Sequence, residues 1–182
     1  MESIEFESFP KISRLNRDII ITEKIDGTNS QILVTSTEVV AGSRNRWITP
    51  EADNFGFARW VKENAEMLRA VLGEGRHFGE WWGAGIQRRY GIGEKRFSLF
   101  NVSKWREVKP PLYCVPVLYE GPWVMPVSGG YAPFYAVEAL RNGGSIASPG
   151  FKPAEGIVVF HPASGELFKA TLEKDEKHKG EL

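Results

Sequence analysis

Short runs rich in β-branched and aromatic residues recur along the whole chain, at 19–22, 31–35, 39–42, 76–81, 97–102, 113–119, 156–160 and 167–171. Such side chains fit a pleated, half-buried surface, so each run is predicted to be a strand. A helical period replaces this pattern in only two places. In the first, Phe57, Val61, Ala65, Leu68 and Leu72 fall on one face, with Asp53 or Asn54 as N-cap and Gly73 just past the end. The second runs from about 134 to 141 and stops at Gly143-Gly144. Strands before, between and after the helices, without strict alternation, predict an α+β fold of antiparallel sheets flanked by a few helices.

At 182 residues with 42% hydrophobic content, the chain suits a single domain spanning 1–182. The glycine and proline clusters at 110–111, 128–131 and 143–153 are predicted to be loops within it, and the charged end, 173–181, a solvated helix or frayed tail. Its 23 basic and 23 acidic side chains cancel, so nothing in the overall balance marks a nucleic-acid binder and any such contact must be local. Cys114, the single cysteine, lies in an apolar run, cannot form an internal disulfide and is expected to be a small buried hydrophobe. No run approaches the roughly 18 apolar residues of a membrane span, and residues 1–10 lack the apolar core of an export signal. These features predict a soluble protein in a reducing, cytoplasmic setting. His77, His161 and His178 show no ligand spacing, which argues against a zinc centre.

The densest chemistry lies in Glu23-Lys24-Ile25-Asp26-Gly27-Thr28-Asn29, between two predicted strands. A lysine in a turn that lines a pocket is desolvated and, beside other cations, becomes an amine nucleophile at neutral pH. Gly27 is expected to let the backbone come close to a ligand. The bland alternative is a hairpin whose Asp-Gly pair makes the turn and whose lysine is solvated.

Lys24-Ile25-Asp26-Gly27-Thr28-Asn29 resembles the nucleotide-attachment motif of the covalent nucleotidyltransferases, the superfamily of DNA ligases, RNA ligases and mRNA capping enzymes. Further segments resemble the other motifs of that superfamily, in order: Ser43-Arg44-Asn45-Arg46, Phe78-Gly79-Glu80-Trp81-Trp82-Gly83, Phe97 to Val102, Glu155-Gly156-Ile157-Val158-Val159, and Leu167-Phe168-Lys169-Ala170. Ordered matches of this kind are far more specific than any one motif. Asn29 and the run Gly83-Ala84-Gly85-Ile86-Gln87 resemble the RNA ligase 2 branch in particular.

The resemblance implies the nucleotidyltransferase fold, an ATP-grasp-like ligase catalytic domain, and assigns roles. Lys24 is the nucleophile that captures AMP from ATP. Lys169 offsets phosphate charge and, by like-charge repulsion, keeps the amine of Lys24 reactive. Glu155 holds a divalent metal (Mg²⁺ or Mn²⁺) or the attacking lysine. Glu80 bonds the ribose and Phe100 stacks on adenine, while Glu23, Asn29 and Arg44 complete the nucleotide set. Arg88 and Arg89 are candidate nucleic-acid contacts, with Lys95-Arg96 and Lys104-Trp105-Arg106 nearby. The implied partners are nucleic-acid ends bearing a 5′-phosphate and a 3′-hydroxyl, RNA favoured, met by a monomer.

Taken without the resemblance, Lys169 is a solvent-facing strand residue, Glu80 a partner for Arg44 in a structural ion pair, Phe100 a core aromatic and Glu155 a loop-end carboxylate. Two departures bear on function. Thr171 stands where the family carries a second lysine, a role that Lys174, Lys177 or Lys179 would have to take. The chain also continues only to Leu182 past the last motif, so a separate protein is expected to supply any appended domain. The alternatives to a ligase are a degenerate nucleotide- or nucleic-acid-binding module without chemistry and a capping-type guanylyltransferase.

Overall fold

The predicted strands separate into two sheets rather than joining in one. In the computed structural model, which describes residues 4–127 and 129–173, β1 (Asp18–Lys24) lies between β8 (Val117–Pro122) and β9 (Gly156–His161), and β10 (Glu166–Thr171) continues beyond β9. All three pairings are antiparallel. The second sheet has six strands, in the order β4 (Trp47–Ile48), β3 (Val39–Ser43), β2 (Thr28–Val34), β5 (Gly75–Gly83), β6 (Lys95–Leu99) and β7 (Leu112–Cys114). Its pairs are antiparallel except β6 with β7.

Side chains alternate across each strand, and the apolar halves decide what packs where. Ile19, Ile21, Ile157 and Val159 bury against Ala132, Ala136 and Leu140 of α4 (Ala132–Gly143). The larger sheet turns Ile32, Val34, Ala41, Ile48, Phe97 and Leu99 onto α1 (Phe57–Glu63) and α2 (Ala65–Leu72). Each sheet is thus covered by helix on one side, and the remaining faces meet across a cleft.

Several local expectations are corrected. The single helix predicted from Phe57 to Leu72 breaks at Asn64, whose side-chain amide donates to the Trp60 carbonyl at 2.8 Å. Its N-cap position falls on Gly56, with φ 83°, and the capping comes from upstream. Asp53 accepts from the Ala58 and Arg59 amides at 2.7 and 3.1 Å, an arrangement that typically contributes about 1 kcal/mol. The run 113–119 splits at Val115-Pro116 and sends its halves to different sheets, because proline cannot donate to a continuing ladder. The run 97–102 leaves the strand after Leu99, and Asn101 Oδ1 accepts from the Lys104 amide at 3.2 Å to start α3 (Val102–Trp105). Cys114 is only half-buried, donates to the Leu99 carbonyl at 3.2 Å and has its thiol pushed up to about 11 by burial. The predicted tail beyond Glu173, with Lys174, Lys177, His178 and Lys179, lies outside the described residues. Among the described residues no helix is long and apolar enough to cross a membrane.

Candidate active site

Lys24 is the last residue of β1, in the smaller sheet, while Thr28 begins β2 in the larger one. The segment between them is therefore a crossover between sheets, and the hairpin alternative is excluded. Its backbone is held from several directions. Ile25 buries beside Trp82 and Tyr90, and the Asp26 amide donates to the Tyr90 hydroxyl at 2.7 Å. The Gly27 amide donates to Glu80 Oε1 at 3.1 Å. A side chain on Gly27 would place its Cβ 2.5 Å from the Trp81 carbonyl oxygen, so close packing on β5 by itself requires glycine here. Tyr90 has no counterpart among the sequence motifs. It is buried, its φ is +50°, and Gln87 and Arg89 share this left-handed region, so the loop beneath the motif is a strained backbone segment.

The Lys24 ammonium donates to Glu155 Oε1, and the other oxygen of that carboxylate is buried without a hydrogen-bond partner among the described residues. Register brings the rest of the site to Lys24. Across the smaller sheet, Lys24 stands opposite Gly156 and Gly156 opposite Thr171; two residues away, Thr22 faces Val158 and Val158 faces Lys169. Residues two apart share a face, so Lys169 lies on the Lys24 side of the sheet, where both line the cleft. A Cβ on Gly156 would sit 2.1 Å from the Ala170 carbonyl oxygen, which leaves no room for a side chain between Lys24 and Thr171. The Thr171 hydroxyl donates to the Glu173 carbonyl at 2.9 Å.

The larger sheet supplies the opposite wall of this cleft of about 940 Å³, which Asn29, Arg44, Glu80 and Phe100 also line. Asn29 and Glu80 are cross-strand neighbours. Burial pushes the Glu80 carboxyl up to about 7, and Glu155 and Asp26 add to the rise, against the lowering influence of Lys24 and the Gly27 amide. Among the described residues no ion pair joins Glu80 to Arg44. Phe97 and Phe100 separate: Phe97 is buried in the core 5.1 Å from the Phe57 ring, while Phe100 opens to the cleft. Phe78, exposed and lining the cleft, was not singled out by sequence, although its place two residues before Glu80 in one predicted strand puts both on the same face.

Glu23 borders the cleft, but its carboxylate turns into the protein. Oε2 accepts from the Ile146 and Ala147 amides, both at 2.8 Å, Oε1 has no hydrogen-bond partner among the described residues, and burial pushes the group up. Arg88 is engaged by protein groups: Asp26 at 3.0 Å, the Pro153 carbonyl at 3.3 Å and Glu173 at 3.5 Å. It ties the Lys24 crossover to the approaches of β9 and β10, a role that charge clustering in sequence cannot distinguish from a phosphate contact. Arg89 is exposed and does not line the cleft.

The family model for RNA ligase matches residues 17–171. The chain belongs to the RNA ligase family. Solved structures with the same fold include Naegleria gruberi RNA ligase, as a mutant with ATP and Mn (20% identity, TM-score 0.61, 88% of this chain and 52% of that one). Another mutant of it, with AMP and Mn, matches at 19% identity and TM-score 0.59 over 89% of this chain and 53% of that one. The same ligase with PPi matches at 19% identity and TM-score 0.56 over 86% and 50%. This family member thus spans about half the length of the ligase it resembles. The α+β expectation, with antiparallel-rich sheets and few helices, is borne out, with one parallel pair as the exception.

Among the described residues no group of three or more His, Cys, Asp or Glu could hold a metal. A cation carried largely by phosphates and water needs only one or two protein carboxylates. The unpartnered oxygen of Glu155 fits that requirement.

Proposed function

We propose that this chain is the adenylyltransferase domain of an ATP-dependent RNA ligase, and that Lys24 carries AMP as a phosphoramidate before passing it to a 5′-phosphate for sealing to a 3′-hydroxyl. The observation that carries this reading is the Lys24–Glu155 pair at the seam of two sheets, with Lys169 on the same face and Phe100 on the opposite wall. In the free protein Glu155 holds the lysine ammonium in place, and a proton on that amine has a direct path to the carboxylate. Once unprotonated, Lys24 attacks the α-phosphate of ATP, a P–N bond forms and pyrophosphate leaves with the electron pair of the broken P–O bond. Lys169 and Arg44 are placed to offset phosphate charge. Phe100 offers a ring to adenine, and Glu80, held by the Gly27 amide, faces the ribose. Mg²⁺ or Mn²⁺, held by Glu155 and the phosphates, would supply further charge neutralisation.

RNA ends are the substrates we assign, on family membership. The free cysteine agrees with an intracellular setting, and a monomer, a single domain and a separate nucleic-acid-binding partner complete the proposal. Intact mass after incubation with magnesium and ATP, GTP or no nucleotide tests it. A gain of one AMP with ATP alone, absent in Lys24→Ala, is the expected result. A GMP adduct instead would make the domain a capping-type transferase, and no adduct in folded, nucleotide-free protein would make it a binding module.

A further inference from the structure

The cleft-side face of the larger sheet continues past the nucleotide site onto open surface. Trp47 stands opposite Gly42, Gly42 opposite Gln31, and Gln31 opposite Phe78. The row reaches Phe100, whose amide donates to the Phe78 carbonyl at 3.0 Å. Directly opposed residues project to one face of a sheet, so these aromatics form a line from the β4 edge to the cleft. Their neighbours Ile48, Ala41 and Ile32 are buried on the other face. The line is open to solvent: Trp47 is 47% exposed, Phe78 49% and Phe100 37%. Single exposed aromatics are ordinary; three placed by register on one face call for a partner.

The surroundings indicate which partner. The Arg76 guanidinium lies 5.1 Å from the Trp47 ring centroid and also donates to the Gln31 side chain. Gly42 makes room for this arrangement, since a Cβ there would stand 3.1 Å from Trp47 Cε3 and 2.7 Å from Gln31 Cγ. Arg44 and Arg46 occupy the turn joining β3 to β4, and among the described residues neither they nor Arg76 is in an ion pair. Rings bordered by unpaired guanidinium groups suit a polyanion that exposes flat apolar faces. Single-stranded nucleic acid has this chemistry, whereas a duplex keeps its base faces inside the stack. Three strand spacings separate Trp47 from Phe78, about 14 Å at roughly 4.8 Å each, room for several bases.

We infer that the Trp47–Phe78 row is a stacking platform for an unpaired RNA strand, with Arg46 and Arg76 taking its phosphates, and that the platform delivers the strand end to the nucleotide at Phe100. The choice of RNA and the delivery step rest on the ligase reading above; the platform itself is tested without chemistry. Fluorescence anisotropy of a labelled single-stranded RNA of roughly ten nucleotides, titrated with nucleotide-free protein at low salt, is compared with the same RNA annealed to its complement. The single strand binds more tightly than the duplex. Trp47→Ala weakens single-strand binding by about 5- to 100-fold, Trp47→Phe restores most of it, and AMP transfer from ATP to Lys24 is unchanged in Trp47→Ala. Should Trp47→Ala fail to fold, Arg46→Glu on the exposed turn provides the second reading and also weakens binding. Equal affinity for duplex, or unchanged single-strand affinity in a folded Trp47→Ala or in Arg46→Glu, overturns the platform. Absence of an AMP adduct on the wild type counts against the ligase reading alone, because binding is scored without nucleotide.

Discussion

The smaller sheet brings the Lys24–Glu155 pair and Lys169 to the cleft, whereas the larger sheet brings Asn29, Phe78 and Phe100 together with Arg44, Arg76 and Glu80. Lys24 and Lys169 project from the smaller sheet, with Glu155 at the head of β9. Asn29, Phe78 and Phe100 line the larger wall, and its one carboxylate in the motif set, Glu80, is pushed toward neutrality by burial. On the reading proposed above, Lys24, Lys169 and Arg44 meet the phosphates of a nucleotide, and Phe100 and Glu80 of the larger wall meet its nucleoside. The crossover from Lys24 to Thr28 joins the two sheets, so its backbone is fixed by Tyr90 and Glu80, and the Asp26 side chain by Arg88, rather than left as a free turn.

Mutations on opposite walls should fail in different ways. The largest effect is expected at Lys24, where alanine removes the nucleophile and AMP transfer falls by more than roughly 10³-fold, read by intact mass. Glu155→Gln keeps the shape but not the charge, and adenylylation should slow about 10²-fold with little change in KM for ATP. A large rise in KM with unchanged kcat would move Glu155 from the chemical step to ground-state binding.

On the larger wall, Glu80→Gln should expose a pH-dependent stability. The folded carboxyl titrates at about 7 against an ordinary 4.5, so the folded state binds more protons inside that window. Stability therefore falls as pH rises through it, and the loss is complete above about 7. The glutamine variant should be more stable than wild type by on the order of 2 kcal/mol at high pH and nearly equal to it at acid pH, measured by urea denaturation. A difference independent of pH would show that burial of the charge is not the cause. The smallest effect belongs to Phe100→Ala, expected to raise KM for ATP by a factor matching about 1–2 kcal/mol of lost stacking, with kcat held. If KM stays constant while Tm drops, Phe100 is a packing residue and the division between walls loses its base-binding side.

Local pattern determined much of this molecule. Period-two runs carried most strands, the Phe57 to Leu72 periodicity carried the buried helix face, and the ordered motifs named Lys24, Glu80, Phe100, Glu155 and Lys169, all of which line the cleft or touch a residue that does. These signals survive in sequence because alternation and motif spacing are properties of neighbouring residues. Tertiary structure decided the rest. Both runs flanking the Asp26-Gly27 pair read as strands, yet only long-range pairing could send them to different sheets. Arg88, a candidate nucleic-acid contact beside Arg89 in sequence, meets Asp26 and Glu173, distant in the chain, only in the fold. Tyr90 became a support for the motif through a hydrogen bond from a loop far along the chain, and Trp47 joined Phe78 in one row through cross-strand register. Register and burial are set by partners far along the chain, and a one-residue slip would reverse every face, so they emerge only when the sheets assemble.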